Sequence, residues 1–236
     1  TRRAMRNAGR VARVVAAGDL AAERDAGMGG GSMIRWAIMT SPQNHEATVA
    51  FFESRGFFGL QREQVSFFPQ GVMPSFDRAT VRLLLAGPGE IAVSPDGHGG
   101  SITALYKSGV LSRLAEAGVE QVSYFQVDNP IVRVLDPEFL GLHVGAADSS
   151  GEMSSKMIPK AYAEEKLGLF CAVGGRVQVI EYSDLPMEQQ RLTNADGSLR
   201  FLAGSIAVHA MSVEFLRRLN EDAKFDLPYH RADKRI

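Results

Sequence analysis

The chain alternates short apolar runs with stretches whose apolar positions recur at helical spacing. Apolar runs rich in β-branched and aromatic residues predict buried strands at 34–39, 64–68, 121–127, 139–144, 167–173 and 177–182. Helical spacing predicts helices at 44–55, 101–117, 187–192 and 213–221. The alternation predicts an α/β fold with a mixed, mainly parallel sheet, to which hairpins at 81–93 and 167–182 add antiparallel strands.

Composition narrows the class of protein. Of the 236 residues, 45% are hydrophobic and 22% are charged, as in globular rather than disordered or fibrous chains. A formal net charge of −1 argues against a nucleic-acid partner, but it leaves room for a local phosphate site. The single cysteine, Cys171, excludes an internal disulfide and predicts a reducing, cytoplasmic location. No apolar run reaches the roughly 20 residues that span a membrane, so no membrane association is predicted.

The residues that precede the first predicted strand differ from the rest. Residues 1–13 are rich in arginine, which is typical of a solvated cationic helix face. They lack the apolar stretch and the small-residue cleavage site of a secretory signal. We therefore separate an N-terminal segment, 1–33, from a core, 34–236.

A glycine-rich segment, 94–100, stands between a predicted strand and a predicted helix, where ligands bind in open α/β sheets. Three of its last four residues are glycines, which allow the backbone to approach a ligand closely. The helix that follows offers backbone N–H groups to an anion, and His98 can stack on or hydrogen-bond to a ligand. A plain glycine-rich turn is the alternative interpretation.

Polar residues follow several of the other apolar runs. Asp128 comes directly after the run at 121–127, where its carboxylate either holds Mg²⁺ against substrate phosphates or caps a turn. The amide of Gln70 can pair with both a donor and an acceptor on a base edge. Glu181 ends a strand, where a carboxylate can accept hydrogen bonds from sugar hydroxyls. Each of these signals is weak by itself.

Basic and sulfur side chains add three further expectations. Lys156 and Lys160 stand four residues apart, so they form either a cationic wall for phosphate or an exposed ion-pair face. Cys171 lies within an apolar run, which predicts a buried small hydrophobe rather than a nucleophile. The five histidines are far apart in sequence and contain no HExxH motif, so nothing indicates a zinc protease.

Taken together and in order, eight segments resemble one family. They read WAIMTS, FGL, FFPQGVMP, SPDGHGG, VDN, DPEFLG, EYS and AGSIA, at 36–41, 58–60, 67–74, 94–100, 127–129, 136–141, 181–183 and 203–207. The chain resembles the uridylyltransferases that make UDP-sugars, most closely the UDP-N-acetylglucosamine and UDP-N-acetylhexosamine pyrophosphorylases. The resemblance covers residues 34–236.

This resemblance implies a Rossmann-like, GT-A-type nucleotidyltransferase core and the reaction UTP + hexose 1-phosphate ⇌ UDP-sugar + pyrophosphate, assisted by Mg²⁺. By position, Gln70 and the Gly97 backbone would bind uracil, and Pro95 and His98 would line the nucleoside pocket. The sugar phosphate would attack the α-phosphorus of UTP directly, without a covalent enzyme intermediate. The alternative is a catalytically inactive UDP-sugar-binding relative that acts as a sensor or scaffold.

The remaining roles implied by the resemblance concern the phosphates and the sugar. Asp128 would hold the metal. With it we assign Lys160, from the Lys156–Lys160 pair, as the catalytic lysine that neutralises phosphate charge. The sugar pocket would be lined by Gly168, Glu181, Gly204 and Ser205. N-acetylglucosamine 1-phosphate is the expected substrate. Some members of the family have Asn where this chain has Ser205, so other sugars stay open.

The sequence departs from the family pattern in two places. The family begins with a strand and a glycine-rich loop, and residues 10–18 match only the strand. The glycines at 27–31 lack the Thr-Arg pair of that loop. The second departure is that the family's C-terminal lysine segment, which binds phosphate, has no counterpart before Ile236. Either these phosphate-binding segments belong to a longer chain, which is the interpretation we favour, or the protein is a degenerate relative.

Overall fold

The computed structural model describes residues 33–225 and 227, together with the backbone of a two-residue strand, β1 (Val14–Val15). Most of the segment 1–33 and the two departures from the family pattern therefore lie outside the described residues. The chain divides into two units. The first unit contains residues 11–121 and 212–236, and the second contains residues 1–10 and 122–211.

The first unit contains a parallel strand–helix–strand motif. Strands β2 (Trp36–Thr40) and β3 (Val65–Pro69) pair in parallel, with Trp36 opposite Val65, and helix α1 (His45–Ser54) lies between them in sequence. Phe52 of α1 packs edge-on against Trp36 and Phe67, with ring centroids 5.2 and 5.1 Å apart. The two strands and the helix predicted at 34–39, 64–68 and 44–55 are therefore confirmed.

Two antiparallel pairs follow in the same unit. Strand β4 (Val72–Pro74) pairs with β7 (Val93–Pro95), and β5 (Leu85–Gly87) pairs with β6 (Glu90–Ile91). The hairpin predicted at 81–93 is present, but its turn is narrower than expected. The turn consists of Pro88 and Gly89, because Gly89 adopts the left-handed φ of 79° that a two-residue turn requires.

Three helices complete the first unit: α2 (Gly100–Lys107), α3 (Val110–Glu116) and α6 (Val213–Glu221). The single helix predicted at 101–117 is two helices, because Gly109 adopts a φ of 71° and ends the helical path between them. Both α2 and α3 pack against α6. The fully or nearly fully buried residues of these helices include Val110, Leu111, Leu114 and Leu216.

The second unit is built on one sheet. Its strands are β8 (Gln121–Tyr124), β9 (Met153–Pro159), β10 (Leu169–Val173), β11 (Arg176–Ile180) and β12 (Ala203–Ser212). Strand β12 neighbours β8, β9 and β10, and β10 also forms the expected hairpin with β11. The helices of this unit are α4 (Pro137–Gly145) and α5 (Met187–Gln190).

Three predictions about these elements are wrong. The run at 139–144 is not a strand but the body of α4, because Pro137 occupies the first helical turn and Asp136 accepts a hydrogen bond from the Glu138 N–H. The strand predicted at 121–127 ends at Tyr124, and Val127 is 99% exposed. The sheet is not mainly parallel: among the pairs of described strands whose register is defined, β2–β3 is parallel and the other five are antiparallel.

None of the helices in the described part of the chain has the length and apolar character needed to cross a lipid bilayer.

Candidate functional site

Gln70 lies directly after β3, and its backbone is tied to the end of the neighbouring strand. The Gln70 N–H donates to the Thr40 carbonyl at 2.8 Å. Thr40 is buried, and its hydroxyl donates to the Phe68 carbonyl and also shares a hydrogen bond with His45 Nδ1 at 2.8 Å. The position predicted to bind a base is therefore fixed by the ends of two paired strands.

The side chain of Gln70 contacts a residue that sequence reasoning missed. Gln70 Nε2 donates to Oδ1 of Asp96 at 3.4 Å, and the Asp96 N–H donates to the Gly71 carbonyl at 3.1 Å. A Cβ atom on Gly71 or on Gly100 would overlap the Asp96 carboxylate. The only signal in the sequence is the position of Asp96 inside the glycine-rich segment, between two predicted site residues.

The other residues predicted to bind the nucleoside flank Asp96 in sequence. Pro95 ends β7, and Pro95, Gly97 and His98 are all exposed. Gly97 adopts a φ of 81°, a conformation that favours glycine. The His98 carbonyl accepts hydrogen bonds from the N–H and the hydroxyl of Ser101, which leads the chain into α2. The predicted arrangement of strand, glycine-rich segment and helix is therefore confirmed.

The four residues predicted to line a sugar pocket come together in the second unit. The Ser205 N–H donates to the Gly168 carbonyl at 2.7 Å. A Cβ on Gly168 would lie 2.9 Å from Val179 Cγ1 and 3.4 Å from Glu181 Oε1. A Cβ on Gly204 would lie 2.9 Å from Leu167 Cδ1 and 3.2 Å from the Ile158 carbonyl oxygen. Because Gly168 and Gly204 have no side chain, the backbones of Gly168 and Ser205 can make this hydrogen bond beside the Glu181 carboxylate.

Lys160 lies next to this group. Its N–H donates to the Leu202 carbonyl at 2.8 Å, which places it beside the start of β12. The side chain is 5% exposed, and Nζ donates to the Ala163 carbonyl at 2.7 Å. An exposed ion-pair face is therefore the wrong interpretation for Lys160. Lys160 therefore lies beside the four residues predicted to line the sugar pocket, Gly168, Glu181, Gly204 and Ser205, which we call the sugar group.

Lys156 has a different role from Lys160. Its ammonium group lies 2.6 Å from Asp136 Oδ2 and 5.1 Å from the centroid of the Phe139 ring. Burial raises the pKa of Asp136, but the hydrogen bond and charge of Lys156, with the Glu138 N–H and Arg133, lower that pKa more. This ion pair joins β9 to the beginning of α4.

Asp128 stands apart from the other candidates. It is exposed and lies in a turn in which the Asn129 N–H donates to the Gln126 carbonyl at 3.1 Å. In the described part of the chain it forms no hydrogen bond or ion pair with Lys160 or with the sugar group. The described residues also contain no cluster of three or more His, Cys, Asp and Glu side chains able to hold a metal.

A lone carboxylate is compatible with a Mg²⁺ ion that binds together with the substrate. Mg²⁺ commonly uses one or two carboxylates and takes its remaining ligands from substrate phosphates and water, so it does not need a cage of protein side chains. A single exposed carboxylate in a turn meets that requirement. Cys171, in contrast, is 7% exposed and burial raises the pKa of its thiol, which confirms that it is a structural residue.

The chain is similar to known proteins over most of its length. The family model described as UTP–glucose-1-phosphate uridylyltransferase matches residues 28–236. UDP-N-acetylglucosamine diphosphorylase 2 of Arabidopsis thaliana is 37% identical over 206 residues, which are 86% of this chain and 40% of that protein. UDP-N-acetylglucosamine pyrophosphorylase of Saccharomyces cerevisiae is 34% identical over 203 residues, which are 86% of this chain and 42% of that protein.

A solved structure shows the same likeness in three dimensions. The uridine diphosphate N-acetylglucosamine pyrophosphorylase of Trypanosoma brucei, crystallised with an inhibitor, superposes with a TM-score of 0.78 at 29% sequence identity. The superposition covers 99% of this chain and 45% of that one. This chain therefore spans less than half the length of each of these three proteins.

Proposed function

Because the chain belongs to the UTP–glucose-1-phosphate uridylyltransferase family, we propose that it transfers the uridylyl group of UTP to a hexose 1-phosphate, releasing pyrophosphate and a UDP-sugar. The proposed sugar substrate is N-acetylglucosamine 1-phosphate, because relatives at 37% and 34% identity carry UDP-N-acetylglucosamine names. The proposed fold is a Rossmann-like, GT-A-type core, and the parallel β2–α1–β3 motif supports it. The proposed location is the cytoplasm, which the free thiol of Cys171 supports.

The observation that carries the proposal is the position of the Gln70 amide. The amide follows β3, at the carboxyl ends of the parallel strands β2 and β3, where α/β folds bind nucleotides. An amide can accept a hydrogen bond from the N3–H of uracil and donate one to a neighbouring carbonyl of the base. The exposed Gly97 backbone and His98 lie on the segment that carries its partner, Asp96, and they complete the proposed nucleoside site.

In the second unit, we assign the sugar to the group around Gly168. Glu181 can accept hydrogen bonds from sugar hydroxyls, and the Ser205 hydroxyl can donate or accept one. The neighbouring Lys160 ammonium group supplies positive charge for the phosphate of the sugar. The proposed chemistry is direct attack by a phosphate oxygen on the α-phosphorus of UTP, so the residues need only position the substrates and stabilise their charge.

The proposed reaction also uses a divalent cation. Asp128 is the residue that would hold Mg²⁺, and the ion would supply positive charge to the phosphate oxygens when it is bound. The exposed position of the Asp128 carboxylate supports this assignment because substrate phosphates can reach it.

The test measures pyrophosphate release from UTP with N-acetylglucosamine 1-phosphate, glucose 1-phosphate and N-acetylgalactosamine 1-phosphate. We expect release with at least one sugar phosphate, and fastest with N-acetylglucosamine 1-phosphate. Binding of UDP-sugar without any pyrophosphate release would instead support the inactive sensor or scaffold.

The Gln70→Ala variant tests the nucleoside site. Loss of the amide leaves the uracil edge without its partners, which costs about 1–3 kcal/mol, so we expect UDP binding to weaken by roughly 5- to 150-fold. Isothermal titration calorimetry measures this affinity. The matched control is Gln189→Ala at an exposed position of α5, which should bind UDP as the parent does. Parent-like binding by Gln70→Ala would remove Gln70 from the nucleoside site.

A further inference from the structure

The Asp96 carboxylate fills a space that two glycines leave open. Any side chain at Gly71 or Gly100 would collide with this carboxylate, so the backbone around it is shaped to accept it. Its own backbone is fixed by the hydrogen bond from the Asp96 N–H to the Gly71 carbonyl. Asp96 is partly buried, and its side chain accepts the hydrogen bond from the Gln70 amide.

This contact restricts the orientation of the amide. The carboxylate oxygen Oδ1 of Asp96 accepts the hydrogen bond from Gln70 Nε2, so the nitrogen end of the amide faces Asp96. Rotation of the amide by half a turn would bring its oxygen against the carboxylate oxygen, and both atoms are acceptors. The backbone bond from Gln70 to Thr40 fixes the other end of the residue at 2.8 Å. The donor and the acceptor of the amide therefore have defined positions.

A defined orientation matters because two pyrimidine bases present opposite edges. Uracil offers a ring N–H donor beside a carbonyl acceptor, whereas cytosine offers a ring nitrogen acceptor beside an amino donor. An amide that rotates freely can pair with either edge by exchanging its oxygen and nitrogen. An amide held in one orientation pairs with one edge and meets the other with two unfavourable contacts, donor to donor and acceptor to acceptor.

We propose that Asp96 is a positioning residue that makes the site select uracil over cytosine by holding the Gln70 amide in one orientation. The inference rests on the proposed function, because it takes Gln70 as the residue that pairs with the base. It goes beyond that function in assigning the discrimination between bases to a carboxylate that does not itself contact the base.

The experiment compares UDP and CDP binding by isothermal titration calorimetry in the parent and in Asp96→Asn. Asparagine has nearly the same shape, but its amide can donate as well as accept, so either orientation of Gln70 becomes acceptable. We expect the ratio of UDP to CDP affinity to fall by about tenfold, through tighter CDP binding as well as weaker UDP binding. The melting temperature of each variant shows whether the fold is intact.

Two comparisons separate positioning from a structural role. Asp77→Asn, an aspartate that caps a turn in the same unit, should keep the parent ratio. In a Gln70→Ala background, Asp96→Asn should leave the ratio unchanged, because the amide that Asp96 orients is absent. A change of the same size in both backgrounds would overturn the inference.

The outcomes for the parent distinguish this inference from the proposed function. A parent that prefers UDP, together with an Asp96→Asn variant that keeps the same ratio, overturns the role of Asp96 and leaves the function standing. A parent that binds UDP and CDP equally, or binds neither, overturns both the uridine nucleotide site and the role of Asp96.

Discussion

At the scale of single residues, Asp128 has two interpretations that one substitution separates. Asparagine replaces aspartate well in a turn, so Asp128→Asn should be nearly silent if the carboxylate only stabilises the turn at 126–129. If the carboxylate holds Mg²⁺ against the phosphates, turnover should fall by about 100-fold or more. We expect the large fall, with little change in melting temperature.

The measurement is the rate of pyrophosphate release as a function of Mg²⁺ concentration. Asp148→Asn is the matched control, because Asp148 is exposed in a loop of the same unit. A rate and a Mg²⁺ dependence like those of the parent in Asp128→Asn would return Asp128 to the turn interpretation.

The resemblance to the family singles out Gln70 and the four residues of the predicted sugar pocket, but it does not predict which side chains they contact. The likeness of the FFPQG segment to the family is enough to single out Gln70. Its partner Asp96 is 26 positions away, and only the antiparallel pairing of β4 with β7 brings the two together. The sequence does not predict the burial of Lys160 either, because its backbone partner Leu202 is 42 positions away.

At the scale of secondary structure, the beginning of α4 depends on one carboxylate with two functions. Asp136 accepts the Glu138 N–H at 3.2 Å and pairs with the Lys156 ammonium group at 2.6 Å. Asp136→Asn keeps the cap and loses the ion pair, whereas Asp136→Ala loses both. We expect the alanine variant to lose about 1 kcal/mol more stability than the asparagine variant, which is the typical value of a helix cap.

Chemical denaturation of the two variants measures these losses. Asp148→Ala is the control for removing an exposed aspartate near the other end of α4. Because the pKa of Asp136 is lowered in the folded protein, its contribution is present above the ordinary aspartate pKa and is lost as the pH falls through that range. Equal stabilities for the two variants at neutral pH would show that the cap contributes nothing.

The same helix explains why one element was misassigned. Six consecutive residues at 139–144 with mostly apolar side chains are compatible with a buried strand or a buried helix, and periodicity does not separate the two. The pair Asp136–Pro137 is a helix-start signal that stands just before this run and decides in favour of the helix. Where the apolar spacing is clear, as in α6, the predicted bounds 213–221 agree with the structure.

At the scale of the whole molecule, each unit carries its own group of candidate residues. The first unit holds the Gln70–Asp96 pair, and the second holds Lys160 and the sugar group. The sequence predicted the mixture of strands and helices but overestimated the parallel pairing. A parallel pair needs a crossover, which β2–α1–β3 supplies, whereas short turns such as Gly174–Gly175 produce antiparallel hairpins.

The second unit also contains a buried histidine, His143, and a half-buried one, His209, which link stability to pH. Nδ1 of His143 in α4 lies 2.8 Å from the Ser154 hydroxyl, and Nδ1 of His209 in β12 lies 2.8 Å from the Ser155 hydroxyl. The His209 ring also stacks on Tyr124 with centroids 5.7 Å apart. Burial lowers the pKa of both histidines because it disfavours the charged imidazolium.

A lowered pKa fixes the sign of the pH dependence. Below the ordinary histidine pKa of about 6.5, the unfolded chain binds protons that the folded chain does not, so stability falls as the solution becomes more acidic. Each histidine contributes a slope of up to about 1.4 kcal/mol per pH unit, between pH 6.5 and its lower pKa in the folded protein. We expect the free energy of unfolding to fall from pH 7.5 to pH 5.5.

Denaturant unfolding at a series of pH values measures this slope in the parent and in His143→Gln and His209→Gln. Glutamine can keep a hydrogen bond to serine but does not titrate, so each variant should start less stable at pH 7.5 and lose less stability on acidification. His98→Gln, at an exposed position of the first unit, is the comparison. If the free energy of unfolding depends on pH as steeply in both variants as in the parent, the acid sensitivity belongs to other groups.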